Sequence, residues 1–168
     1  MKNILKQHTV ILALFLLLLG FVACTPDPPP VGGEEEIDEV TLSFSNGPTV
    51  SWELNGTEPE IVLNANTTYT TVSASFRNAA DNEDITAEIL TESVDHLVCF
   101  TPNGTNVTIT RTDKDANDLE LGLTSSWETG EASTGTLNLS LKHQPGVKDG
   151  SCEPGDANVE VLFNIVIQ

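Results

Sequence analysis

Residues 158–168 read NVEVLFNIVIQ and are the most regular stretch of the chain. Alternate side chains of an extended chain lie on the same face, so an apolar residue at every second position indicates a β-strand with one buried face. The stretch meets this condition at five positions, Val159, Val161, Phe163, Ile165 and Ile167. We therefore expect a strand that packs these residues into a core.

The same period of two recurs upstream in shorter runs, with turn dipeptides such as Asn46-Gly47 and Asn103-Gly104 between them. Short strands at this spacing predict an all-β fold, an immunoglobulin-like antiparallel β-sandwich of about 7–9 strands. Strands do not alternate with helices, which argues against a doubly wound α/β fold. The alternating residues include Val40, Leu42 and Phe44; Val50, Trp52 and Leu54; Val72, Ala74 and Phe76; Val107 and Ile109; Leu119, Leu121 and Leu123; and Leu137, Leu139 and Leu141.

One segment, near residues 84–93, has helical spacing instead. Ile85, Ile89 and Leu90 recur as on one side of a helix, and Asp84 precedes them as a candidate N-cap. The segment predicts a short helix inserted among the strands.

The N-terminus has the features of an export signal. Lys2 and Lys6 precede an apolar run over residues 10–23, which is shorter than the roughly 20 residues that span a bilayer. Phe21-Val22-Ala23-Cys24 resembles a bacterial lipobox, in which the cysteine accepts a lipid and the chain is cut before it, although Phe21 replaces the usual Leu. The alternative is a plain secretory signal with an ordinary cysteine at position 24.

Residues 24–38 are rich in proline and acidic side chains, a composition that favours an extended, solvated spacer. The acidic run also resembles surface-export signals in lipoproteins of the Bacteroidetes type. Thr25, rather than Asp, follows the cysteine, which favours the outer membrane, with the domain on its periplasmic or its exposed face. The expected division is a signal peptide at 1–23, a lipidated tether at 24–38 and a β-sandwich at 39–168.

The chain without its signal is strongly acidic. The first 23 residues hold two of the seven basic residues and none of the 25 acidic ones, so the remainder has a formal charge of −20. Such a charge repels nucleic acid and attracts cations and basic partners. Cys99 and Cys152 remain besides Cys24, and an exported setting permits a disulfide between them. The alternative is two thiols too far apart to bond.

Two sets of residues are candidate metal ligands. His96 and His143, with nearby carboxylates, have the chemistry that Zn²⁺ and its neighbours prefer, or they are structural histidines. Asp113, Asp115 and Asn117 open a calcium-loop pattern, but Asp118 replaces the glycine at its sixth position and Thr124 the final glutamate. The alternative there is a hairpin loop rich in Asx turns. We expect no tightly held cofactor, with Ca²⁺ or a transition metal as the exception.

Several segments together resemble a family of small lipoproteins from flavobacteria and their relatives. They are residues 65–69 (ANTTY), 83–86 (EDIT), 113–117 (DKDAN), 129–137 (TGEASTGTL), 141–145 (LKHQP) and 158–168. Members are often labelled "type 1 periplasmic binding fold superfamily", a label that implies helices between strands and that the β pattern does not support. Where the family has Gln and aromatics after Asp95-His96, this chain has Leu97-Val98-Cys99-Phe100.

The resemblance implies a partner, because such genes often lie near TonB-dependent outer-membrane receptors. The sequence has no Gly-x-Ser-x-Gly nucleophile motif and no phosphate-binding loop, so we expect a protein that is not an enzyme. The expected function is a membrane-anchored lipoprotein that binds a ligand or serves an outer-membrane uptake system. The alternatives are a structural or adhesive envelope module and, third, a metal-binding protein or metalloenzyme that uses His96 and His143.

Overall fold

The computed structural model describes residues 36–168, so the expected signal peptide, Cys24 and nearly all of the tether lie outside the described residues. Ten strands and one helix occupy this part of the chain. In chain order they are β1 (Glu39–Phe44), β2 (Thr49–Glu53), β3 (Glu60–Leu63), β4 (Thr68–Asn78), β5 (Glu83–Asp84), α1 (Ile85–Thr91), β6 (His96–Asn103), β7 (Val107–Arg111), β8 (Thr124–Thr129), β9 (Ser133–His143) and β10 (Asp156–Ile167).

The strands form two sheets that pack as a sandwich. The first sheet has the order β2-β1-β4-β8-β7, with the short β5 added to β4, and the second has the order β3-β10-β9-β6. Neighbouring strands are antiparallel except β3 and β10, which run parallel. The all-β sandwich that the sequence predicts is confirmed.

Most of the period-two residues of the sequence line the space between the sheets, although Leu54 lies just beyond β2 and is 49% exposed. In β10, Val161 lies opposite Leu139 of β9 and Phe163 lies opposite Leu137, and all four side chains are buried. The first sheet contributes aromatic rings, among which the Phe44 ring meets the Trp127 ring edge-to-face with centroids 5.0 Å apart. Burial of these apolar faces supplies the main driving force for the sandwich.

Helix α1 forms where the sequence predicts a helical segment. The Asp84 carboxylate accepts a hydrogen bond from the Thr86 backbone N–H and caps its first turn. Ile85 and Ile89 are buried against the sandwich, whereas Leu90 points outward and is 63% exposed. Within residues 36–168, no helix is both long enough and apolar enough to cross a membrane.

The alternation at Leu119, Leu121 and Leu123 does not form a strand, and this part of the prediction is wrong. Gly122 has a φ of +86°, which breaks an extended chain, and β8 begins only at Thr124. The Asp113 carboxylate accepts the backbone N–H groups of Gly122 and Thr124 and holds the residues as a loop. Leu121 and Leu123 are nevertheless buried. The apolar alternation here therefore marks side chains that a loop, and not a strand, places in the core.

The folded domain includes two residues of the expected tether. Ile37 is buried in the core. The Asp38 carboxylate accepts the backbone N–H groups of Ala79 and Ala80. The chain is therefore fixed to the first sheet from Ile37 onward.

Candidate functional site

The two histidines of the domain meet at one end of the second sheet. His96 is the first residue of β6 and His143 the last of β9, and the two lie directly opposite each other in the antiparallel register. Their imidazole rings stack with centroids 5.0 Å apart and an interplanar angle of 22°. Residues that are 47 positions apart in the sequence are thus brought into contact by the pairing of β6 with β9.

The tautomer of His96 follows from its hydrogen bond. Its Nδ1 atom lies 3.1 Å from the backbone carbonyl oxygen of Glu92, the C-cap residue of α1. Because a carbonyl oxygen only accepts, Nδ1 carries the proton, and Nε2 of the neutral ring is left with a free lone pair. Metal-binding histidines are commonly oriented in this way by a carbonyl on their other nitrogen.

Burial lowers the pKa of His96 below its ordinary value, because the buried ring lacks the hydration that would stabilise its charged form. The Glu92 carbonyl raises this pKa through its hydrogen bond, the charge of His143 lowers it, and the carboxylates of Glu92 and Asp95 raise it; the lowering effects win. His96 is therefore neutral at pH 7, which is the form that binds metals.

A carboxylate continues the row of histidines. Asp156, the first residue of β10, lies opposite His143, so His96, His143 and Asp156 form one row across three neighbouring strands. The Asp156 side chain is exposed. Among residues 36–168, no three His, Cys, Asp or Glu side chains are already arranged to hold a metal ion. The structure therefore offers two adjacent imidazoles, with a carboxylate one strand away.

The other candidate ligands, Asp113, Asp115 and Asn117, lie in the loop between β7 and β8. One Asp115 oxygen accepts the backbone N–H groups of Asn117 and Leu119, at 2.8 and 3.0 Å. Its second oxygen contacts the ammonium of Lys148 at 2.7 Å, and Asp113 is engaged with backbone amides as described above. The loop therefore has the form of the Asx-turn alternative, and its carboxylates are satisfied by donors of the chain itself.

Lys148, which the sequence did not single out, fixes this loop. Its side chain is 2% exposed and that of Asp115 is fully buried, and its ammonium also donates to the Ser93 carbonyl at 2.8 Å. Burial raises the pKa of Asp115, but the hydrogen bonds from Lys148, Leu119 and Asn117 outweigh it and hold the pKa below its ordinary value. The pair joins three loops that no local sequence pattern connects.

A disulfide joins Cys99 of β6 to Cys152, with their Cα atoms 6.1 Å apart. Beside it, the Arg111 guanidinium donates to the Val98 carbonyl at 2.7 Å and forms a 2.7 Å ion pair with Glu120. Residues 144–155, the disulfide loop, are thereby held against β6. A cleft of about 220 Å³ lies next to them, lined by Phe100, Ile109, Thr110, Arg111 and Glu120.

Gln144, which the sequence analysis includes only as part of segment 141–145, organises the disulfide loop. It is fully buried, and its side-chain amide donates to the carbonyls of Ser151 and Pro154, at 2.9 and 2.8 Å. Its backbone N–H donates to the Asp95 carbonyl. Gln144 thus connects the disulfide loop to Asp95, the residue that precedes His96 in the sequence.

Comparison of the chain with protein-family models and with curated proteins finds no match. The chemistry of the site is therefore argued from its geometry. That geometry presents two nitrogen donors at a strand end, a fully satisfied acidic loop, and a disulfide-bonded loop beside them.

Proposed function

We propose that the protein is a non-enzymatic binding lipoprotein of the outer membrane, anchored through Cys24 and related to the flavobacterial family described above. The observation that carries this proposal is the Cys99–Cys152 disulfide. Disulfides persist in exported proteins and are rare in the cytosol. The bond also accounts for two of the three cysteines, so that Cys24, at the lipobox, is the one left for a lipid.

The arrangement of the chain around Cys24 suits an anchored domain. The fold is fixed from Ile37 onward, which leaves residues 25–36 between the lipid and the sandwich. A proline-rich segment of this length reaches up to about 40 Å when extended. Two or three acyl chains hold a protein stably at a membrane, whereas one does not. We propose a sandwich that is tethered near the membrane surface but remains outside the bilayer.

Cys24→Ser tests the anchor. In a Gram-negative host that expresses the full chain, the wild type is expected in the membrane fraction with a lipid-bearing Cys24 peptide by mass spectrometry. The Cys24→Ser variant is expected to lose the lipid and to leave the outer-membrane fraction. Cys152→Ser is the matched control, because it also removes one sulfur but should remain in the membrane. An unmodified Cys24 in the wild type would contradict the proposal.

A role beside an outer-membrane receptor is the second part of the proposal. It is supported by the family resemblance and by the charge of −20, which favours a basic partner surface. Chemical cross-linking in the native host, followed by affinity purification, should recover a TonB-type receptor with the wild type. Recovery that is equal from a strain expressing an unrelated acidic lipoprotein would count against this role.

A structural or adhesive module is the second candidate, and the outer face of the first sheet favours it. Hydroxyl side chains pair across the strands there, with Thr41 and Ser51 2.7 Å apart and Thr112 and Thr124 3.0 Å apart. Hydroxyl groups both donate and accept hydrogen bonds, so such a face suits contact with neutral, hydroxyl-rich surfaces. Loss of adhesion without loss of uptake in a deletion strain would favour this candidate.

A further inference from the structure

We propose that His96 and His143 bind one divalent transition-metal ion of the class that prefers imidazole, such as Zn²⁺ or Cu²⁺. This inference rests on the proposed binding function, for which it names the ligand class. The ion would be held by one nitrogen of each ring, and water would complete its coordination. Imidazole nitrogens suit Zn²⁺ and Cu²⁺, whereas Ca²⁺ prefers oxygen.

The first argument is the position of the two rings. A metal–nitrogen bond of about 2.0–2.1 Å requires the two ligand nitrogens to approach each other within about 3–3.5 Å. The centroids are already 5.0 Å apart, and the two residues are direct partners in the sheet, so their backbones are held at a fixed spacing. His143 is half-buried. Binding of the ion would require its side chain to turn so that a ring nitrogen faces His96.

The second argument is the orientation of the His96 ring by its hydrogen bond. Its Nδ1 donates to the Glu92 carbonyl, which fixes the ring and leaves Nε2 as the metal-binding atom. A histidine used only for stacking does not need this orientation, whereas metal sites commonly have it. The carbonyl itself is held in place because Glu92 is the C-cap residue of α1 and its own N–H donates to the Glu88 carbonyl.

The third argument is the charge around the rings. Asp95 precedes His96, Glu92 provides the orienting carbonyl, and Asp156 lies beside His143 in the next strand. No basic side chain stands in this row of the sheet, because the three opposed residues are His96, His143 and Asp156. A dication is therefore favoured by its surroundings, and Asp156 is the carboxylate that the strand register places in the same row for its coordination shell.

The experiment uses the full chain purified in detergent and treated with a chelator. Zn²⁺ and Cu²⁺ are titrated in separate calorimetric runs, with Ca²⁺ as the comparison ion. We expect one Zn²⁺ or Cu²⁺ per chain, nitrogen hyperfine structure in the spectrum of the Cu²⁺ form, and no heat from Ca²⁺. Absence of saturable binding of Zn²⁺ and Cu²⁺ by the wild type would overturn the inference.

Variants locate the ion. His143→Gln is preferred to His96→Gln because His143 is the less buried ring, and it should weaken binding at least about tenfold. Lys142→Gln is the matched control, since Lys142 is the neighbouring residue on the opposite face of β9 and its loss should leave the affinity unchanged. Equal affinity of wild type and His143→Gln would overturn the site.

The variant Cys24→Ser separates this inference from the proposed function. Metal binding that persists in Cys24→Ser and disappears in His143→Gln supports the site independently of anchoring. Normal anchoring of a wild-type protein that binds neither ion overturns the metal site and leaves the lipoprotein proposal in place.

Discussion

Lys148 and Asp115 form an ion pair that is almost fully withdrawn from water. Each charge loses hydration on burial. The loss is offset by the hydrogen-bonded partner and by three further hydrogen bonds, from Lys148 to the Ser93 carbonyl and from the Asn117 and Leu119 N–H groups to Asp115. A second Lys–Asp pair, Lys114 with Asp118, has the same 2.7 Å separation but is largely exposed. Comparison of the two pairs therefore distinguishes the effect of burial on stability from the effect of the ion-pair contact itself.

Lys148→Met is expected to lower the free energy of unfolding by about 3–5 kcal/mol, because it leaves a buried carboxylate without its counter-charge. Lys114→Met, the matched control, should cost less than about 1 kcal/mol. Urea unfolding followed by tryptophan fluorescence measures both. Equal effects of the two substitutions would contradict the assigned role of burial.

The pKa of Asp115 predicts how this contribution depends on pH. Because the folded protein holds that pKa below its unfolded value of about 3.9, the stabilisation is complete above that value and is lost as the pH falls toward the folded pKa. Wild type should therefore exceed Asp115→Asn in stability at pH 7, and the difference should shrink below pH 4. Unfolding curves from pH 7 to pH 3 measure it, and a constant difference would contradict the prediction.

The elements show which parts of the fold the sequence could predict. Strands such as β9 and β10 follow from their alternation, and α1 follows from Asp84 and the spacing of Ile85 and Ile89. The contact of His96 with His143 could not be predicted, since it depends on which strands pair and in which register. Lys148 and Asp115 are 33 residues apart and lie in loops. Loops have no sequence periodicity from which such a contact could be predicted.

Gly122 explains why a leucine alternation became a loop, and it offers a test. Its φ is +86°, and a Cβ there would lie 2.7 Å from the Val98 carbonyl oxygen. Gly122→Ala is expected to cost more than the roughly 1–2 kcal/mol of a left-handed residue alone. Gly146→Ala is the control, because Gly146 has a φ of +69° with no atom within 4 Å of an added Cβ. Equal losses of stability in the two variants, measured by thermal unfolding, would exclude the steric contribution at Gly122.

The Cys99–Cys152 disulfide is expected to stabilise the fold. It links residues 53 positions apart and holds the disulfide loop against β6. Cys152→Ala should therefore lower the free energy of unfolding by about 2–5 kcal/mol. A thiol reductant should bring the wild type to the stability of the variant and leave the variant unchanged. A fully reduced wild type with unaltered stability would contradict this prediction.

The charge of the molecule affects its stability as a whole. The chain beyond residue 23 has a formal charge of −20, and like charges at this density repel one another in the compact state. Raising NaCl from about 0.02 to 0.5 M should raise the melting temperature, because the screening length falls from about 20 Å to below 5 Å. A variant in which the exposed Glu58, Glu128 and Glu131 are glutamines should respond less. An equal response would point to a salt effect unrelated to charge.

The parallel pairing of β3 with β10 has a consequence for the order of folding. Ile61 lies opposite Ile165, more than a hundred residues later, and β10 separates β3 from β9. The second sheet therefore cannot close while the chain is still emerging from a ribosome or a translocation channel. Long-range pairing of this kind slows folding. The same topology that delays closure keeps the second sheet open until β10 has left the channel, which suits the proposed export of the chain in an unfolded form.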